Sequence, residues 1–373
     1  MHREDVALFE ELLRLRTTHD ADNRGEHDRC REVVAREAAK RGLRSTIVKS
    51  DPYPTILVGT DPDAKNPAVL LTGHLDIVPA NTPDQYEPRM DGTKLRARGA
   101  SDMKFCAPLF LRVLAELPPP LRDRVLVAFT FDEEIGGNRG IRYLLDEYGL
   151  RAGACFLPDG GDNFQLEADE KGVLQFRIRT TGRSAHGSRP WLGENAIDRF
   201  LAIYADLRTR LAVVDRPGVW GPTLNLGKIV AGAAANQVPD ACEALLDTRF
   251  TEASTLEETR TLVESIVAGR GTVEPVVAGD VFHLDPASAP YRWIQEAARE
   301  HVGKELGIYR SEGASDARFF TKHGIPVVIA KPVCAGHHSA DEWIDLDSID
   351  PYYGMMRRFV ERAASETGEG RRP

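Results

Sequence analysis

Apolar residues recur at helical spacing over 4–16 and 24–42, and the chain then changes rhythm to short apolar runs at 55–58, 68–72, 125–131 and 154–157. Each run is followed by Gly, Pro or Asp. Helical patterns at 105–117 and 140–148 lie between them. Strands alternating with helices predict a mainly parallel α/β sheet. From residue 172 the order becomes strand (173–180), helix (196–211), two strands (223–230 and 241–250), helix (256–267) and strand (272–277). That βαββαβ order predicts a ferredoxin-like α+β domain inserted into the first. After Pro286 the α/β pattern resumes, with a helix at 291–301, a strand at 326–330 and a closing helix at 352–364. The expected organisation is a catalytic domain built from 1–175 and 286–373, interrupted by an inserted domain at 176–285.

At 373 residues and 42% hydrophobic, the chain exceeds one small core and is too apolar to be disordered. The net charge of -9 argues against a nucleic-acid or anionic-membrane partner, because phosphate binding needs clustered Lys and Arg. A small molecule or short peptide is the expected substrate. No apolar secretory or membrane-spanning stretch is present. The five cysteines are scattered without C-x-x-C spacing, so a cytoplasmic protein without a thiolate zinc site is expected.

Candidate chemistry gathers where apolar runs end. His74 closes the run Leu71-Thr72-Gly73-His74, and Asp76, two residues on, can orient its second ring nitrogen. Alone, this is as readily a His that ends a strand. Asp102, after Gly99 and Ala100, is either a helix N-cap or a bridging ligand that small residues let approach. Asp132-Glu133-Glu134 puts three acids at the end of 125–131, where their repulsion asks for a cation or for solvent. Asp159 follows 154–157, and His337-His338 follows 326–330. In a parallel sheet these C-terminal ends converge on the edge where open α/β sheets bind ligands. Histidines and carboxylates without thiolates suit two divalent ions, Zn²⁺ above all, with Mn²⁺ or Co²⁺ also accepted. Two ions about 3.5 to 4 Å apart clamp a hydroxide and polarise a carbonyl.

The motifs G-H-x-D (73–76), G-x-x-D-M-K (99–104), D-E-E (132–134), P-D-G-G (158–161) and H-S-x-D-E (338–342) occur in this order and resemble the co-catalytic two-metal peptidase and deacylase family. That family includes acetylornithine deacetylase, succinyl-diaminopimelate desuccinylase, glutamate carboxypeptidase and aminoacylase. The resemblance implies one metal on His74 and Asp159, another on Glu134 and His338, with Asp102 bridging. His337 competes for the last of these places. It also implies that Glu133 is the general base, that Asp76 is a catalytic residue beside His74, and that the inserted domain is a lid that can form a homodimer. His186, in Ser184-Ala185-His186-Gly187-Ser188, then reaches the substrate carbonyl oxygen, while Asn236, Arg249, Ser315 and Arg318 resemble substrate-side positions. Asp159 stands where many deacylases carry Glu and several di- and tripeptidases carry Asp; residues 313–318 and the chain length resemble the deacylase branch. The expected function is therefore hydrolysis of the amide bond of an N-acyl amino acid, with a di- or short-peptide peptidase as the alternative and a non-catalytic metal-binding homologue as a third. Phe105-Cys106 departs from the small residues common after Met-Lys and puts the pocket shape there in question. An oxidoreductase of the dinucleotide-binding kind is disfavoured by the lack of G-x-G-x-x-G after a first strand.

Overall fold

The computed structural model describes residues 1–367, so the last six residues of the expected 286–373 segment lie outside it. The strands used below, in chain order, are β1 (Arg44–Val48), β2 (Thr55–Gly59), β3 (Val69–His74), β4 (Val125–Thr130), β5 (Ala154–Phe156), β6 (Gly172–Thr181), β7 (Thr223–Ala231), β8 (Ala241–Phe250), β9 (Thr272–Gly279) and β10 (Val327–Val328). The helices are α1 (Arg3–Leu13), α2 (Arg24–Lys40), α3 (Cys106–Glu116), α4 (Ala196–Arg210), α5 (Leu256–Val267), α6 (Ala289–His301) and α7 (Ile349–Glu366).

The chain divides into two compact units: 1–168 with 284–310 and 315–373, and 169–283 with 311–314. The second unit thus begins at 169 rather than 176, ends at 283 rather than 285, and gains a four-residue return at 311–314 that no sequence pattern announced.

In the first unit six strands form one sheet in the order β1-β2-β4-β3-β5-β10. β4, β3, β5 and β10 are mutually parallel, with His74 opposite Thr130, Leu71 opposite Phe156, and Val328 opposite Phe156. β1 and β2 run antiparallel to their neighbours at one edge. β3 and β4 are buried at every residue, which is why each reads as an unbroken apolar run: both faces of a parallel sheet are covered. β1, Arg-Ser-Thr-Ile-Val, is half exposed at the edge and lacks that signature, so periodicity misses it.

The second unit is a four-stranded antiparallel sheet in the order β7-β8-β6-β9. α4 and α5 pack on it, and Leu174, Phe176, Ile178, Phe200, Ile203, Leu207, Ala244, Leu246, Val263 and Ile266 form its core. β8 alternates buried and exposed residues along its length, as a strand with one solvated face does. Asn195 caps α4 by accepting from Ile197 N–H, and Thr255 and Glu258 make a reciprocal capping box on α5. This is the ferredoxin-like arrangement. Among the described residues no helix is long and apolar enough to cross a membrane.

Candidate metal centre

Parallel pairing brings the carboxyl ends of β3, β4 and β5 to one edge, and the first unit gathers its acids and histidines there. His74 is the last residue of β3. Glu133 and Glu134 form a short helical turn just beyond β4, and Asp159 follows β5. Two triads result: His74, Asp102 and Asp159, and Asp102, Glu134 and His338, the ligating atoms of each lying within 4.8 Å of one another. Asp102 belongs to both. His74 Nε2 is 3.2 Å from Asp102 Oδ1 and 3.9 Å from Asp159 Oδ1. His338 Nε2 is 3.1 Å from both Asp102 Oδ2 and Glu134 Oε2.

The rivalry between the two adjacent histidines has a geometric answer. His337 turns its Nδ1 toward Asp162, 3.7 Å away, whereas His338 faces the carboxylates. His338 holds a left-handed backbone (φ 60°), rare for a residue with a side chain, and its ring stands at 77° to that of His337.

His74 is oriented differently from expectation. Its Nδ1 lies 3.0 Å from the Asp76 backbone carbonyl, which can only accept, so Nδ1 carries a hydrogen and Nε2 is the ring nitrogen turned toward Asp102 and Asp159. The Asp76 carboxylate stands farther off, at 3.5 Å. It serves two other donors instead: His19 Nε2 at 2.9 Å and the Glu134 backbone N–H at 3.1 Å. Burial pushes the Asp76 carboxyl up, but His19 and His74 outweigh it and hold the group well below the usual carboxylate range. Asp76 is thereby an anion that ties the β3 loop to the acidic turn after β4. Burial first, then the Asp159 carboxylate, pushes the Glu133 carboxyl well above the usual carboxylate range.

Does this donor set fit divalent ions? Two imidazole nitrogens and three carboxylates, one of them shared, crowd into two adjacent triads, and neither triad contains a sulfur ligand. Carboxylates so placed repel one another unless cations lie between them. Nitrogen and oxygen donors of this kind suit Zn²⁺, Mn²⁺ or Co²⁺. The residues fit the ions that the motifs imply.

A peptidase family model, Peptidase family M20/M25/M40, matches residues 70–362, which contain every one of these side chains. The chain belongs to peptidase family M20/M25/M40. Membership makes it a hydrolase of amide or peptide bonds. Among M20 relatives, the succinyl-diaminopimelate desuccinylase of Aromatoleum aromaticum is 27% identical over 363 residues, covering 91% of this chain and 93% of that protein. The enzyme of the same name from Thioalkalivibrio sulfidiphilus is 23% identical over 382 residues, covering 95% and 98%. The fold matches the M20 family metallo-carboxypeptidase Sso-CP2 from Sulfolobus solfataricus with a TM-score of 0.77 at 17% identity, over 98% of this chain and all (100%) of that one. It also matches the aminopeptidase PepT from Bacillus cereus with a TM-score of 0.76 at 19% identity, over 96% and 98%.

The remaining candidate residues of this M20 chain are placed as follows. Arg318 is buried and spends its guanidinium on backbone carbonyls, Ser315 O at 2.6 Å and Gly136 O at 3.0 Å, pinning the loop after Glu134. Ser315 Oγ accepts from Ala317 N–H at 3.1 Å. Both therefore brace the first unit by contacts that the motif alone did not suggest. In the second unit, His186 is exposed, and its Nδ1 accepts from Ser188 N–H at 3.1 Å, which leaves the hydrogen on Nε2. The Asn236 carbonyl accepts from Gly187 N–H at 2.7 Å and holds this loop. Arg249 Nε donates to Asp247 Oδ1 at 2.8 Å, so part of its fork is already engaged.

Three residues given no role by the motifs matter to the site. Glu342, buried, accepts from Arg98 Nη1 at 2.6 Å, Gly99 N–H at 3.0 Å, Ser101 N–H at 2.9 Å and Asp102 N–H at 3.1 Å, and so grips the loop that carries Asp102. Its place in H-S-x-D-E was the available signal. His19 and the buried Lys331 had none beyond their chemistry. Lys104, of D-M-K, is wholly buried and donates to the Leu12 and Leu15 carbonyls at the end of α1, at 2.9 and 2.7 Å. The departure at Phe105-Cys106 falls in the core: both are fully buried, Cys106 Sγ lies where a Cβ on Gly73 would sit 2.6 Å away, and the Phe105 ring meets Tyr352 edge-on.

Proposed function

We propose that this chain hydrolyses the amide bond of an N-acyl amino acid with the help of two divalent ions. The observation that carries the reading is the pair of triads sharing Asp102 at the carboxyl edge of a parallel sheet. His74 and Asp159 hold one ion, Glu134 and His338 the other, and Asp102 both. Divalent ions held by these residues would supply Lewis acidity to the scissile carbonyl and to the attacking water. Glu133, the acid of the turn that is not in either triad, takes the proton from that water and delivers it to the leaving nitrogen. Asp76 keeps the Glu134 backbone and the β3 loop in register while this happens, and Glu342 does the same for Asp102.

The names of the curated relatives favour a succinyl or similar acyl group on a diamino acid. A second reading, cleavage of a short peptide, is favoured by the shorter Asp159 side chain at a position where a longer acid suits many deacylases. Zinc is the ion we assign, with cobalt or manganese able to replace it, and a homodimer formed through the second unit and a cytoplasmic location complete the proposal. The decisive experiment is metal analysis of the purified protein with an amine-release assay across N-succinyl and N-acetyl amino acids and simple dipeptides, run with and without Zn²⁺, Mn²⁺ or Co²⁺. Close to two metal equivalents and metal-dependent release from acylated amino acids support the reading. Release from dipeptides alone selects the second, and neither metal nor turnover overturns both.

A further inference from the structure

Lys331 follows β10 and is 3% exposed, with its Nζ 3.7 Å from Asp102 Oδ1 and 3.7 Å from Asp159 Oδ1. A buried ammonium thus stands beside two of the three acids and imidazoles of the His74–Asp102–Asp159 triad. Lys331 stands on the Oδ1 side of Asp102, the side that meets His74, whereas the Oδ2 side and Glu134 face His338, and among the described residues no lysine or arginine pairs with Glu134.

The position is built, not incidental. The Lys331 backbone N–H donates to the Gly161 carbonyl at 3.0 Å, and its own carbonyl accepts from Phe164 N–H at 3.1 Å. Gly161, at φ +67°, lets the P-D-G-G loop lie so close that an added Cβ would meet the Gln165 carbonyl at 2.5 Å and the Ile329 carbonyl at 2.8 Å. The loop carrying Asp159 and the segment carrying Lys331 are therefore locked side by side, with the lysine ammonium against the carboxylates of Asp102 and Asp159. Asp162, on the same loop, is opposed by His337.

We propose that Lys331 is an internal cation that competes with the metal in the His74–Asp102–Asp159 half of the centre. It offsets the mutual repulsion of Asp102 and Asp159 before a divalent ion arrives, and it repels that ion once bound. The two halves are consequently unequal: the Asp102–Glu134–His338 half fills first and the half beside Lys331 fills at higher metal concentration. A unit charge this close, at the effective dielectric of a protein site, separates the two dissociation constants by roughly 100-fold. The inference rests on the two-ion reading of the preceding section.

The test uses the full chain stripped of metal and titrated with Zn²⁺ against a chromophoric competitor, comparing wild type, Lys331→Gln and Lys331→Arg. Wild type and Lys331→Arg should show one tight equivalent and a second roughly 100-fold weaker. Lys331→Gln should bind the second equivalent at least about 10-fold tighter, yet melt at a lower temperature than wild type when no metal is added. A merely structural lysine would lower the melting temperature without tightening the metal, and that outcome overturns the proposal. Should Lys331→Gln not fold, anomalous diffraction from wild-type crystals given one equivalent of Zn²⁺ decides the matter: density confined to the Asp102–Glu134–His338 half supports the proposal, and equal density in both halves refutes it. Absence of any Zn²⁺ binding would overturn the two-ion reading itself, a result distinct from two equally tight equivalents, which would overturn only the role of Lys331.

Discussion

Replacing Glu342 by Gln changes one oxygen into an amide and should damage the centre without touching a proposed metal ligand. Oε2 of Glu342 accepts from Arg98 and Gly99, and Oε1 from the Ser101 backbone, its hydroxyl and the Asp102 backbone. Glutamine keeps one acceptor. Whichever way its amide turns, an NH₂ group then faces two buried donors, so two hydrogen bonds are lost and two N–H groups are left without acceptors, at roughly 1–3 kcal/mol each. Arg98, 2% exposed, loses its counter-charge and retains only the Ser339 carbonyl, which places the total near the ~3–5 kcal/mol of a broken buried ion pair. In either orientation the lost bonds are to the segment 98–102 that carries Asp102, so the Asp102 carboxylate shifts with its loop, and a displacement of about 1 Å at a catalytic group costs about 10²-fold in rate. Urea unfolding of metal-stripped wild type and variant measures the first effect, and amine release with Zn²⁺ titration measures the second. Asp341→Asn, the exposed neighbour in the same motif, is the control and should move stability by less than about 0.5 kcal/mol. If Glu342→Gln unfolds within ~1 kcal/mol of wild type and binds zinc unchanged, the grip assigned to this carboxylate is wrong.

Three further outcomes are expected. Glu133→Gln should keep both metal equivalents and lose about 10²–10⁴-fold in kcat, as removal of a general base does; turnover at the parent rate would take that role from Glu133. Gly161→Ala forces a Cβ into two backbone carbonyls at positive φ and should lower stability by about 2–4 kcal/mol, read as a shift of the urea midpoint; an unchanged midpoint would mean that the loop can separate from 329–331. His27 is buried, with Nε2 3.0 Å from the Thr18 carbonyl, and burial lowers its pKa from the usual 6.5. Its folded pKa being depressed, it contributes stability above pH 6.5 that is lost as pH falls toward the folded value, because the unfolded chain takes up the proton first. Wild type should therefore lose more melting temperature between pH 7.5 and 5.5 than His27→Phe does, and equal losses in zinc-saturated samples would show that His27 does not titrate on unfolding.

What could be read from the residues, and what could not, follows from how each signal is made. β3 and β4 are sealed on both faces, so burial writes an unbroken apolar run, and polar residues at its end stand out as Gly73-His74 and Asp132-Glu133-Glu134 do. Parallel pairing then collects those ends on one edge, so local patterns predict a non-local site. The Asp102 position is legible only by resemblance, because its loop takes its shape from Glu342, 240 residues away, a relation that no periodicity encodes. His19 and Lys331 are invisible for the same reason: each acts through a tertiary contact, on Asp76 in one case and on Asp102 and Asp159 in the other. Even a correct motif mistakes the contact, as with Asp76, where H-x-D spacing suggests a carboxylate on the imidazole and the fold offers the backbone carbonyl, freeing the side chain to serve His19 and Glu134. The arginines 249 and 318 show the converse. Their charge suggests a substrate carboxylate, but Asp247 engages one and two carbonyls engage the other, and an Arg already satisfied by its own fold has fewer donors left for a ligand. The acid and histidine cluster is thus the part of the site that sequence predicts best, since mutual repulsion makes such a cluster costly anywhere a cation is not expected.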